Sequence, residues 1–167
     1  SVGPGDEIIC TATVTDGRSE SISQSASVFI DNSLPVIESI EITPSEDIKA
    51  DQELFCSASG VDADSEPLVW TYVWDVDGQE LGEGDSIGLD PSVVQPGQVV
   101  RCTATAMDSS AGSVSLSVDV TVENSVPVIG ELAISPNTPH YTDTLTCNAT
   151  DLFDLNGDDI TVSYIWL

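Results

Sequence analysis

Three short pieces decide the fold: Leu54-Phe55-Cys56-Ser57-Ala58, then Tyr72-Val73-Trp74, then Arg101-Cys102-Thr103-Ala104-Thr105. Two cysteines bracket a tryptophan, and apolar and polar residues alternate through each piece, as they do in a strand with one face buried. The pieces recur elsewhere. Ile9-Cys10-Thr11-Ala12-Thr13 repeats the second cysteine strand, Leu145-Thr146-Cys147-Asn148-Ala149 the first, and Tyr164-Ile165-Trp166 the tryptophan strand. The chain therefore reads as an array of one unit.

The punctuation between strands fixes the unit. Asp31-Asn32-Ser33-Leu34-Pro35-Val36-Ile37 returns as Glu123-Asn124-Ser125-Val126-Pro127-Val128-Ile129, a period of 92 residues. A period of that size fits one whole β-sandwich per repeat rather than a solenoid coil. Proline just after a strand ends the ladder and stiffens the junction. The expected organisation is all-β: the C-terminal half of a repeat over residues 1–31, a complete repeat over 35–123 and the N-terminal half of another over 127–167.

In the first piece, Glu7 to Thr15 and Ser21 to Ile30 alternate around an Asp16-Gly17 turn. In the complete repeat, strands are expected from Ile37 to Ile42, Glu53 to Ser59, Val69 to Trp74, Gln98 to Ala106 and Val114 to Val122, with a weak, Gly-rich edge from Leu81 to Leu89. Trp70, Tyr72 and Trp74 fall on one face, with Thr71 and Val73 on the other. About seven strands and no helix are expected in this repeat.

Three Lys+Arg stand against 29 Asp+Glu, for a net charge of −26. Phosphate contacts need Lys and Arg, so nucleic acid and anionic membrane surfaces are excluded as partners. Hydrophobic residues make up 40% of the chain, too many for a disordered acidic tail. No apolar run reaches the roughly 18 residues that span a bilayer. There is no initiator methionine or signal peptide, and the sequence opens and stops inside repeats. It reads as a mature fragment or as a window on something longer.

The asparagine-x-x-proline-valine junction, the strand ending in proline, leucine-x-cysteine-x-alanine, the aspartate-rich turn and tyrosine-x-tryptophan together resemble tandem immunoglobulin-like repeats of large bacterial surface proteins. These are related in style to PKD-type and cadherin-like domains. The resemblance covers the whole chain. It implies a Cys56–Cys102 disulfide joining two sheets with Trp74 packed on it; the alternative is a pair of buried free thiols. It implies export, to the cell surface or beyond, because disulfides persist in oxidising compartments. Cys10 and Cys147 would then pair with a neighbouring repeat or another copy. One antibody mark is absent: Val100, two residues before Cys102, is not the tyrosine of a tyrosine corner.

Between the first cysteine strand and the tryptophan strand lie Asp62, Asp64 and Glu66, and their counterparts Asp154, Asn156 and Asp158 with Gly157 and Asp159. Oxygen ligands at alternate positions, with a glycine permitting a sharp bend, suit Ca²⁺, although no full EF-hand loop is present. The competing reading is a solvated acidic turn whose side chains cap backbone amides. At the junctions, Asn32 and Asn124 with the preceding acids match part of the Ca²⁺-binding junction of cadherin-like proteins. Asn148-Ala149-Thr150 is the one glycosylation sequon.

Catalysis has little support. His140 is the sole histidine and sits in a loop, no serine lies in a nucleophile elbow, and no Gly-rich phosphate loop is present. The expected role is structural: a rod-like stalk or extracellular filament of head-to-tail domains. The alternatives are a carbohydrate- or protein-binding module, or an accessory module of a secreted hydrolase. Because each half repeat would expose an apolar face, residues 127–167 of one copy are expected to pack with residues 1–31 of the next, with Cys147 bonded to Cys10, unless neighbouring repeats of one long chain supply the partners.

Overall fold

The computed structural model describes residues 2–167, and they form an all-β structure of eleven strands. In order these are β1 (Glu7–Thr15), β2 (Ser21–Phe29), β3 (Val36–Thr43), β4 (Glu53–Val61), β5 (Val69–Val76), β6 (Gln79–Glu83), β7 (Ser86–Gly88), β8 (Val99–Met107), β9 (Ser113–Thr121), β10 (Val128–Ser135) and β11 (Thr146–Phe153). All pairings between them are antiparallel.

The central residues build two layers. One sheet runs β3-β4-β7 and the other β6-β5-β8-β9. The inward side chains of both enclose one core, which includes Ile42, Leu54, Trp74, Val76, Val100 and Val120. The arrangement is that of a sandwich. Cys56 of β4 and Cys102 of β8 join the layers through a disulfide with Cα atoms 6.5 Å apart. Trp74 lies opposite Cys102 in the β5–β8 ladder, is fully buried, and donates its Nε1 hydrogen to Gly84 O at 2.9 Å. The indole fills the layer beside the disulfide and its one polar atom is satisfied, which is how a tryptophan can be wholly buried.

The alternation in β8 is complete: Val100, Cys102, Ala104 and Ala106 are buried. On the outer faces, hydroxyls pair across strands, Thr103 with Ser117 and Thr105 with Ser115. The Gly-rich edge divides in two. β6 pairs with β5, whereas β7 crosses to the other layer and pairs with β4. Gly84, at φ 116°, lies at the crossover, a conformation that side-chain-bearing residues rarely adopt.

The linkers meet the central unit at opposite poles. At one pole, β3 starts beside the end of β4 (Val36 opposite Val61), and β5 starts beside the end of β8 (Val69 opposite Met107). Linker residues 31–35 enter there. At the other pole, Val122 bridges to Ile48, and Glu123 N donates to Ile48 O at 2.7 Å. Lys49 Nζ then donates to Asn124 O at 3.0 Å as the second linker leaves.

On either side lie two-stranded ribbons. Among the described residues β1 pairs only with β2, and β10 only with β11. Their registers reproduce the centre. Cys10 faces Ala26 as Cys102 faces Val118, each 92 residues on. Ile134 faces Cys147, where Ile42 faces Cys56. Asp151, at φ 52°, is an extra residue opposite Gly130, where the central unit has only its irregularity at Glu38.

Two expectations change here. The turn at Asp16 is longer than a two-residue hairpin: Asp16 Oδ1 accepts from Arg18 N and Glu20 N, and Ser19 takes φ 69°. Residues 161–166 form no strand, although the copy at β5 does. The physical reason lies in pairing: β5 is held between β6 and β8, whereas among the described residues no strand forms a ladder with residues 161–166, whose one hydrogen bond to a strand is from Ala149 N of β11 to the Tyr164 hydroxyl.

Candidate functional site

The acidic turns sit where the linkers enter. Val61 ends β4, and the next residue, Asp62, folds the chain back on itself. Its Oδ1 accepts from Asp64 N at 2.8 Å and from Glu66 N at 3.4 Å, while Ser65 N donates to Asp62 O at 3.1 Å. This is the amide-capping turn that aspartate favours. It leaves the carboxylates of Asp64 and Glu66 free to reach outward.

Both reach across the junction pole. Asp64 Oδ2 accepts from Ser33 N, in the linker, at 2.7 Å. Glu66 Oε1 accepts from Ser109 Oγ at 2.6 Å and Ser110 Oγ at 2.9 Å, in the β8–β9 loop. That loop carries Asp108, only 4% exposed. Asp108 Oδ1 accepts from Gly112 N at 2.7 Å, and Oδ2 from Asn32 Nδ2 at 3.0 Å. The linker is thus tied to two loops of the following unit, by a backbone amide and by an asparagine side chain. Gly112 is required there: a Cβ would overlap Asp108 Oδ2 and lie 2.7 Å from Asn32 Nδ2.

The second junction repeats the first contact. Asp154 Oδ1 accepts from Asn156 N at 2.9 Å and Asp158 N at 3.3 Å, and Asn156 Oδ1 accepts from Ser125 N at 2.8 Å. Gly157 takes φ 76°, where Ser65 in the first turn takes 64°.

Three oxygens at the first junction are buried with no partner: Asn32 Oδ1, Asp62 Oδ2 and Glu66 Oε2. Two belong to carboxylates, and a buried unpaired carboxylate oxygen is costly. At the second junction the unpartnered atoms are Ser125 Oγ and Asn156 Nδ2. Among the described residues, no three His, Cys, Asp or Glu side chains group as metal ligands. Any cation at the first junction would therefore draw on Asn32 and backbone oxygens as well as on the acids.

The remaining residues singled out from sequence are dispersed. Asn148 is exposed on β11 and Asn124 is exposed in its linker. His140 is exposed, in a loop where its amide donates to Asp143 Oδ2. Cys10 is free and exposed on β1, and Cys147 is free and half-buried on β11. Sequence reasoning missed Asp108 and Gly112. Their signal was a buried-type pattern running from β8 into an Asp-Ser-Ser-Ala-Gly turn, which reads simply as a hairpin.

No family model matches the chain, and no curated protein matches it. Among the described residues no helix is long and apolar enough to cross a membrane.

Proposed function

We propose that this chain is a length of extracellular stalk or filament: tandem immunoglobulin-like domains joined end to end, serving to hold something at a distance from a cell. The observation that carries this reading is the placement of the two linkers at opposite poles of the central unit. Each is anchored by the same contact, Ser33 on Asp64 and Ser125 on Asn156. Linkers that leave from opposite poles, tied by hydrogen bonds to the next unit, propagate an axis. The disulfide between the layers supports an oxidising exterior. Small-angle X-ray scattering of the 167-residue chain tests it. An elongated particle is expected, and a globular one would overturn the reading.

A second reading concerns Ca²⁺ at the first junction, and it rests on the three unpartnered buried oxygens. They are hard donors of the type Ca²⁺ takes, in a chain of net charge −26. Asp62, Glu66 and Asn32 would hold the ion, and the linker residue among them would make the junction stiffer when it is bound. A ligand that binds only the native state raises its melting temperature. Millimolar Ca²⁺ is expected to raise it relative to EDTA in the native chain and not in Asp62→Asn. Equal melting in both media would leave the amide-capping turn as the whole account.

A further inference from the structure

We infer that Asn156 is a site of self-modification: the Gly157 backbone nitrogen expels its side-chain amide, and hydrolysis leaves a normal aspartate. The second junction thereby acquires the carboxylate that already holds the first.

Five asparagines occur in the chain, followed in turn by Ser33, Ser125, Thr138, Ala149 and Gly157. Only Asn156 precedes a residue without a side chain, and glycine leaves the next backbone nitrogen unshielded and free to approach the asparagine Cγ. A Cβ built on Gly157 would meet nothing within 4 Å. The Gly157 N–H donates to Asp154 O at 3.2 Å, the long end of the range for such a bond.

The linker prepares the carbon that is attacked. Ser125 N donates to Asn156 Oδ1 at 2.8 Å. A donor on this oxygen draws electrons from Cγ and stabilises the oxyanion that forms when Cγ is attacked. Nδ2, the leaving group, makes no hydrogen bond. The first junction, in the complete central unit, has the same arrangement. Ser33 N donates to Asp64 Oδ2 at 2.7 Å, and among the described residues Asp64 Oδ1 accepts no hydrogen bond.

The reaction runs in two steps. Hydroxide removes the Gly157 amide proton, the nitrogen attacks Cγ, and the tetrahedral centre collapses with loss of ammonia to a cyclic imide. Water then adds to one of the imide carbonyls. Addition at Cγ breaks the new C–N bond and restores the backbone with an aspartate. Addition at the main-chain carbonyl carbon leaves the chain running through the side chain, as isoaspartate. The Ser125 N–H lies on the oxygen of Cγ, so it stabilises the charge of the first path and not of the second. Overall one water is consumed and one ammonia released, which takes up the proton of the new carboxyl.

The fold already accommodates the product. Asp64 occupies the matching place one repeat earlier and accepts from Ser33 as the new carboxylate would accept from Ser125. A carboxylate is a stronger acceptor than an amide oxygen, so the second linker is held more tightly once the change has occurred. The chain also gains a negative charge within a turn that contains Asp154 and Asp158.

The test keeps the whole chain for days in weakly alkaline buffer, native and in urea, and follows it by peptide mass mapping. Isoaspartate is scored by labelling with an isoaspartyl methyltransferase. The native chain should lose amide at Asn156 ahead of its other asparagines, at a rate proportional to hydroxide, and give mainly aspartate. The unfolded chain, which lacks the Ser125 contact, should give mainly isoaspartate. Amide exchange at Ser125 should be slower in the modified chain and in Asn156→Asp than in the parent. A native chain that keeps the Asn156 amide while the unfolded one loses it would overturn the inference. So would isoaspartate as the main native product, or a Ser125 amide that exchanges faster in Asn156→Asp than in the parent.

Discussion

The amide of Ser33 donates to Asp64 Oδ2 over 2.7 Å, binding a linker to a loop that begins a full strand pair later in the chain. Asp64→Ala removes the acceptor of a partly buried amide, which costs about 1–3 kcal/mol. Asp64→Asn keeps an oxygen there, as Asn156 does for Ser125. Amide hydrogen exchange at Ser33 should therefore quicken in the alanine variant and stay protected in the asparagine variant. Equal protection in both would mean that the carboxylate does not hold the linker.

Gly112 lets Asn32 and Asp108 meet. A methyl group there would press on the Asp108 carboxylate and on Asn32, with Leu34 3.0 Å away. Gly112→Ala is expected to lower stability by about 1–3 kcal/mol, as overpacking does. Its amide spectrum should change at residues 32–34 before the central core is affected. A variant with native shifts at the linker would show that the junction yields without cost.

The disulfide closes a separation of 46 residues. In the entropic account, breaking such a loop costs about 4 kcal/mol. Urea titration of the Cys10→Ser/Cys147→Ser variant with and without reductant isolates this bond. A midpoint that does not move on reduction would show that the core holds the layers together unaided.

Arg101 and Asp119 face each other across β8 and β9 through two hydrogen bonds, at 2.7 Å and 2.9 Å. The Arg101 guanidinium hydrogen-bonded to Asp119 holds its carboxyl below the usual carboxylate range. A carboxyl lowered in the folded state adds stability above its unfolded pKa, near 4, and that contribution is lost as pH falls through the folded value. The pair is half exposed, so Asp119→Asn should cost no more than about 1 kcal/mol at neutral pH. The gap between the two proteins should close in melts run toward pH 3. A gap that widens on acidification would reverse the sign argued here.

The strands were legible because their two-residue period is written in every inward Val, Ile, Ala and Cys. β1 runs from Glu7 to Thr15 as its alternation indicates, and β8 and β9 lie within one residue of theirs. The sheet change between β6 and β7 was not legible, since a Gly-rich stretch carries no face. Residues 161–166 show the limit of local pattern: their sequence is that of a strand, but a strand exists only beside a partner. At the junctions, the aspartates at alternate positions marked the turn. Asp108 was hidden because its burial comes from the linker folding over it.

The chain has only three Lys and Arg, and the ion pairs engage two of them. Lys49 is held by Asp47 and Glu123, and Arg101 lies mid-strand against Asp119. Arg18 alone sits in an open hairpin turn. A trypsin-type protease must draw an extended segment into its cleft, so it meets a single accessible bond while the layers stay closed. The scarcity of basic residues thus gives the folded chain resistance to cleavage at Lys and Arg. Loss of that resistance at Lys49 and Arg101 would report the opening of the central unit.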